Sequence, residues 1–367
     1  MSPMFGAEMK FEAKRLNNYI GAAAEYLDSA PTINVDHARE LLAAQTPFRN
    51  GRIASVSRHS DLFSLLPGII DQRSLLSLHS LEQRESMSTM LYSYISIVVL
   101  ALERAKIDGN VLVATGDVTH GFPLPILCKA RNIDEPGLNV LTPLEYARHF
   151  GPALRVSEHD KPFVEKRDSL VWRGAFTGPT KTAAFRHGQS REWIYELAIR
   201  TVNNPAIDTR ISVVPPDRHG DPRVQDLEVW HGEPMTIAEQ LDHKLLLSLE
   251  GNDVASGLKW MMASQSCVLM PEPTVESWFC ETFLEPWEHY VPLKPDLSDV
   301  EKKVDWCLSH PRETQQIASQ GAQFAKKFLS ATTEDRLFTK IVTWYASHPT
   351  LREVLAQSED LLAKRTA

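Results

Sequence analysis

The stretch from Lys244 to Pro273, KLLLSLEGNDVASGLKWMMASQSCVLMPEP, constrains the fold of this chain more than any other. Lys244 to Glu250 is a short apolar run of strand length, and Ser266 to Met270 is a second. Between them, Glu250-Gly251-Asn252-Asp253 has turn chemistry, and Val254 to Ser264 reads as a helix. Continuously apolar strands around a helix indicate a parallel βαβ unit, because strands covered on both faces need no polar alternation. Asn252 and Asp253 are suited to cap the helix start. Free N–H groups in the turn and the first helical turn, together with the helix dipole, favour an anion such as phosphate. Lys259 adds a positive charge early in the helix. The alternative is an ordinary crossover with no ligand, since such units are common.

At 367 residues the chain is long enough for two domains. Its net charge of −8 argues against a general nucleic-acid-binding surface. Cys128, Cys267, Cys280 and Cys307 are scattered, with no Cys-x-x-Cys pair. That pattern argues against structural zinc and a disulfide framework, and it fits a reducing cytoplasm. The first residues, MSPMFGAEMKFEAKR, lack the apolar core of a secretory signal. The most apolar run, Met90 to Leu102, is shorter than the roughly 20 residues that span a bilayer, so it reads as a buried helix.

Along the chain, Glu8 to Leu27 has helical spacing and carries Lys10, Lys14 and Arg15. A surface helix is expected, with contact to acidic lipid as the alternative. Arg52 to Arg58 alternates like a strand, Ser60 to Leu66 and Ser86 to Lys106 look helical, and Asn110 to Ala114 is a strong strand. Asn139 to Leu141 and a helical Pro143 to Phe150 complete a first α/β region, and the charged Glu158 to Asp168 reads as a linker. The second region has strands at Ser169 to Trp172 and Thr209 to Val214, helices at Arg191 to Asn203 and Thr236 to His243, and a polar loop at Pro215 to Glu233. An amphipathic helix is expected at Glu276 to Phe283 and a strand at His289 to Leu293. Three helices follow, at Ser298 to Ser309, Glu313 to Leu329 and Thr333 to His348. The expected divisions are 1–165, 166–330 and a C-terminal 331–367 that packs back on the first domain. Two such α/β halves suggest two Rossmann-like domains facing each other across a cleft.

Asp117 ends a strand ahead of a Gly/Pro-rich loop, at the sheet edge where ligand clefts form. It is either a general base for a hydroxyl or a turn aspartate. Arg173 also ends a strand, and Gly174 lets backbone approach a ligand. A guanidinium there suits a diphosphate or an inter-domain salt bridge. Glu276 is either a first-turn acid or a ligand for ribose hydroxyls, and His120 reads as a surface loop histidine. GxGxxG, GxxxxGK[ST], GxSxG, HExxH and Asp-x-Asp are all absent.

The segment from His243 to Pro311 resembles the core of glycosyltransferase family 90, which includes bacterial lipopolysaccharide-modifying transferases, fungal capsule xylosyltransferases and animal protein O-glucosyltransferases. The order of pieces carries the likeness: the His-Lys-apolar strand, GND with an Ala-Ser pair and Lys259, then Glu276 with Trp278. Pro286, Trp287, His289, Tyr290, Val291 and Pro292 follow, and then Asp296 to Asp299. Upstream, VWRGAFTG at Val171 to Gly178 and TGDVTHGFPLP at Thr115 to Pro125 resemble two further family blocks.

The resemblance implies a GT-B architecture and an inverting, metal-free transfer from a UDP-sugar to a glycan hydroxyl, in lipopolysaccharide or other surface polysaccharide synthesis. It makes Asp117 the general base. It places Arg173, Gly174, Thr177, Asn252, Asp253, Val254, Ala255, Ser256, Lys259 and Glu276 at the donor, with Arg173, Lys259 and the N–H groups of Asp253 to Ser256 stabilising the leaving anion. Many family members have arginine near the start of this helix, where this chain has Gly257-Leu258-Lys259; lysine supplies charge without a bidentate fork. The expected site of action is cytoplasmic, with peripheral contact to the inner membrane through the N-terminal helix as the alternative to a plain surface helix. The alternatives are a protein Ser/Thr acceptor and a nucleotide-sugar-binding protein without turnover.

Overall fold

The computed structural model describes residues 3–29, 52–56, 87–118, 121–144, 149–179, 191–216, 219–222 and 230–352. His120, the helix expected at Ser60 to Leu66 and the middle half of the one expected at Pro143 to Phe150 lie outside the described residues. The described residues form a mixed α/β structure in two compact units, one drawn from 1–147 and 331–367, the other from 148–330.

In chain order the first unit contains α1 (Pro3–Ser29), β1 (Arg52–Val56), α2 (Met87–Ala105), β2 (Val111–Thr115), β3 (Ile126–Cys128), β4 (Ala130–Asn132) and β5 (Asn139–Leu141). The second contains α3 (Gly151–Leu154), β6 (Arg167–Ala175), α4 (Arg191–Arg200), β7 (Ile207–Val213), α5 (Ile237–Gln240) and β8 (His243–Leu247). It continues with α6 (Leu258–Met262), β9 (Cys267–Pro271), β10 (Val275–Ser277), β11 (Val291–Leu293), α7 (Val300–Ser309) and α8 (Pro311–Lys326). The chain then returns to the first unit with α9 (Ala331–Ser347).

The first unit is built on a sheet of order β1-β2-β3-β5. β1 runs antiparallel to β2, and β2, β3 and β5 are mutually parallel. Every residue of β2 is buried, as a strand covered on both faces requires. On α9, Leu337, Phe338, Ile341, Val342 and Tyr345 recur at helical spacing and are all buried, and α9 packs against α2, α1 and β2. The N-terminal helix is not a plain surface helix. Tyr19, Ala23 and Leu27 form a buried stripe, and Arg15 is fully buried in a bidentate pair with Glu334 of α9 at 2.8 and 2.6 Å. Of the three basic residues expected on its surface, Lys10 and Lys14 are exposed. Among the described residues no helix is long and apolar enough to cross a membrane.

The second unit holds a five-stranded parallel sheet of order β11-β9-β8-β6-β7. Leu170, Trp172, Leu245, Leu247, Leu269 and Val291 form the middle of its core. The chain steps from β6 outward to β7, then crosses to the other side of β6 to place β8. β6 and β8 therefore flank the point where strand order reverses.

Three expectations are corrected here. The charged segment 158–168 is part of the second unit, which begins at 148. The Lys166 ammonium pairs with Asp160 and donates to the Leu241 carbonyl, Lys161 pairs with Asp242, and Arg167 N–H donates to the Asp242 carbonyl at 2.7 Å. Opposite charges that read as a solvated linker are thus internal ties. The helix expected from Val254 shrinks to the five residues of α6, with Gly257 at its N-cap. The helix expected at Glu276 to Phe283 is instead β10 and a single 3₁₀ turn, Glu281–Phe283. Cys280 lies in the left-handed region at φ 53°, and the Glu281 carboxylate takes the Ser277 N–H at 2.7 Å and its hydroxyl at 2.8 Å. Local side-chain capture of that kind competes with helix formation.

Candidate functional site

In open parallel sheets, ligands bind beyond the carboxyl ends of the strands where strand order reverses. Here those ends are the loop after β6, with Thr177 and Gly178, and the turn after β8, Glu250 to Asp253. The structure brings the two together. Gly178 N–H donates to the Asn252 side-chain oxygen at 3.4 Å. A Cβ on Gly251 would lie 2.7 Å from the Thr177 hydroxyl, so glycine there permits the close approach of the loops. Gly178 itself sits at φ 102°, a conformation that favours glycine.

The turn is clamped from behind by Glu250. Its carboxylate accepts the N–H groups of Thr274 and Val275 at 3.0 and 3.1 Å and the Thr274 hydroxyl at 2.6 Å. Burial outweighs these bonds and pushes the Glu250 carboxyl up to about 7. A small recess opens beside it, lined by Ser248, Glu250, Val254, Ala255, Leu258 and Val275 among others. Asn252 to Ser256 form bends and turns ahead of α6, with Asp253 buried. A five-residue helix adds little dipole, so an anion there would depend on individual N–H groups.

The charged candidates are differently placed than their spacing suggested. Lys259 is 1% exposed, and its ammonium lies 2.8 Å from Glu281, itself 2% exposed, and 5.7 Å from the centroid of the Phe279 ring. Its charge is neutralised inside the unit. Arg173 lies within β6, two residues before its end. Its guanidinium makes a bidentate pair with Asp208 of β7 at 3.0 and 2.8 Å. It also donates to the carbonyls of Trp172, Asp208 and Glu233. The expected salt bridge exists, but inside one unit. Gly174 is required by Trp172, whose indole would lie 2.2 Å from a Cβ. Glu276 is 2% exposed and accepts the Thr282 hydroxyl.

In the first unit, Asp117 follows β2 after Gly116, which turns the chain at φ 91°. Lys129 follows β3, the parallel neighbour. Their side chains meet at 3.0 Å, with Lys129 3% and Asp117 28% exposed. Sequence reading singled out neither Lys129 nor Glu281, because each is defined by a partner on another strand or loop. Among the described residues, no group of three or more His, Cys, Asp or Glu is placed to hold a metal ion.

Comparison with known proteins gives the lineage. O-glucosyltransferase LpsA of Dichelobacter nodosus is 33% identical over 220 residues, 60% of this chain and 61% of that protein. Protein O-glucosyltransferase 3 of Homo sapiens is 25% identical over 279 residues, 74% of this chain and 51% of that protein. This chain thus spans between half and two thirds of each relative's length. The C-terminal domain of the glycosyl transferase group 1 family protein LpcC from Francisella tularensis superposes over 52% of this chain and 97% of its own length, with a TM-score of 0.30 and 13% identity, too remote to bear on the fold. The model of glycosyl transferase family 90 matches residues 149–363, more than half of the chain, which therefore belongs to that family.

Proposed function

We propose that the chain is an inverting glycosyltransferase that moves a sugar from a UDP-sugar to a hydroxyl of a glycan acceptor, in lipopolysaccharide or other surface polysaccharide synthesis. Family membership and the likeness to O-glucosyltransferase LpsA support the reaction class. The observation that carries the placement is the junction of the Thr177–Gly178 loop with the Gly251–Asn252 turn, at the carboxyl ends of the two strands where strand order reverses.

In this reading the leaving diphosphate lies on that junction and is stabilised by N–H groups of Asp253, Val254, Ala255 and Ser256. Arg173 contributes by exchanging Asp208 for phosphate oxygens. Lys259 and Glu276, both buried on protein partners, hold the frame of the site. Asp117 takes the proton of the acceptor hydroxyl as it attacks the anomeric carbon on the face opposite UDP. A GT-B arrangement and independence from metal are parts of the same proposal. A protein Ser/Thr acceptor is the second reading, favoured by the likeness to protein O-glucosyltransferase 3.

Calorimetry with UDP, GDP, ADP, UDP-glucose, UDP-xylose and UDP-galacturonate, with and without EDTA, tests the donor site. Selective UDP binding that survives EDTA is expected, and its absence overturns the reading. Asp117→Asn is expected to lower transfer by about 10²- to 10⁴-fold while UDP affinity is retained. Undiminished transfer removes Asp117 from the chemistry.

A further inference from the structure

We propose that Lys129 is the positioning residue of the candidate base, holding Asp117 in one orientation through an ion pair buried on the lysine side. The inference rests on the reading of Asp117 given above and assigns a residue to its support. β2 and β3 are parallel neighbours in register at Val113 and Leu127. Continuing that register carries both chains out at the same edge of the sheet. Asp117 and Lys129 therefore emerge side by side although 12 residues separate them.

The burial is asymmetric. The Lys129 side chain is 3% exposed, while Asp117 remains 28% exposed, and Nζ lies 3.0 Å from Oδ1. An ammonium taken that far from water needs compensating charge, and the Asp117 carboxylate contributes to it. The Tyr94 ring of α2 lies beneath the ammonium, 5.8 Å from centroid to Nζ, and adds cation–π attraction. Tyr94 also reaches the Gly116 carbonyl at 3.4 Å, so one residue braces both the lysine and the turn that presents the aspartate. Two other titratable side chains of this unit bond to backbone carbonyls and to Asn18: Arg131 donates to the Asn139 carbonyl and to Asn18, and Tyr345 of α9 donates to the Pro125 carbonyl.

A carboxylate gripped at Oδ1 by a fixed cation loses rotational freedom and stays charged at lower pH than an unpaired one. Both effects suit a base that must meet a neutral hydroxyl in one geometry. Lysine is a point charge, so arginine can replace the charge but not the shape of the pocket.

The test is the titration of the Asp117 carboxyl carbon by NMR, in protein labelled with ¹³Cγ-aspartate, the signal being assigned by its loss in Asp117→Asn. Lys129→Met is expected to raise the titration midpoint of Asp117 by about one pH unit or more, with Lys129→Arg restoring most of the shift. The acid limb of UDP release from UDP-glucose is expected to move in the same direction. If Lys129→Met does not fold, Lys129→Gln serves in the same comparison. An Asp117 midpoint that Lys129→Met leaves in place overturns the inference without touching the proposed reaction. A shifted midpoint together with undiminished transfer by Asp117→Asn overturns the underlying reading instead, and reduces the pair to a structural one.

Discussion

Replacing Lys259 separates a phosphate ligand from a structural cation. In Lys259→Met the side-chain volume is nearly kept, but Glu281 loses the ammonium at 2.8 Å while remaining 2% exposed. Removing one partner of a buried ion pair costs about 3–5 kcal/mol, because the surviving charge stays desolvated. Glu281 retains the Ser277 N–H and hydroxyl, which places the cost near the lower end, about 3 kcal/mol. For a unit of this size that lowers Tm by about 6–12 °C. Urea unfolding followed by tryptophan fluorescence reads it directly. Lys259→Met/Glu281→Gln is expected to recover most of the loss, since the amide keeps an acceptor for Ser277 and carries no charge. A Lys259→Met protein within about 0.5 kcal/mol of the parent that had nonetheless lost UDP affinity would refute the structural assignment and return Lys259 to the diphosphate.

Two further outcomes follow from the same geometry. Glu250 titrates at about 7 in the folded chain against an ordinary value of 4.5. Its raised value means that its contribution to stability is full below about 4.5 and is lost as pH rises through about 7, a change on the order of 3 kcal/mol. Urea midpoints measured from pH 5.5 to 8.5 are expected to fall more steeply for the parent than for Glu250→Gln, and equal slopes would contradict this. Gly137 sits at φ 54°, with a would-be Cβ 2.4 Å from the Gly121 Cα. Gly137→Ala is expected to destabilise the first unit by about 2 kcal/mol or more, and a thermal melt unchanged from the parent would count against the contact.

The strands around the central unit were legible to within a few residues. Lys244 to Glu250 and Ser266 to Met270 became His243–Leu247 and Cys267–Pro271, because unbroken apolar runs leave few alternatives to a buried parallel strand. The final three helices were legible for the same kind of reason, since the buried positions of α9 recur at helical spacing. Glu276 to Phe283 was misread because amphipathic spacing does not register a left-handed Cys280 or a carboxylate that captures its neighbour's N–H. The Thr177 loop and the Gly251 turn were each visible, but their contact was not, because strand order alone brings them together.

The cations mark the boundary most clearly. That Arg15, Arg173 and Lys259 are charged, and where they fall in their elements, is written in the chain. Their partners lie 319, 35 and 22 residues away, at Glu334, Asp208 and Glu281. By itself the sequence determined the alternation of strands and helices, the apolar faces and the family, because hydrophobic period and local order are one-dimensional properties. Only the tertiary structure decided which charges remain available to a ligand, because a charge taken from water must find its partner in space, and that choice is made by packing rather than by spacing.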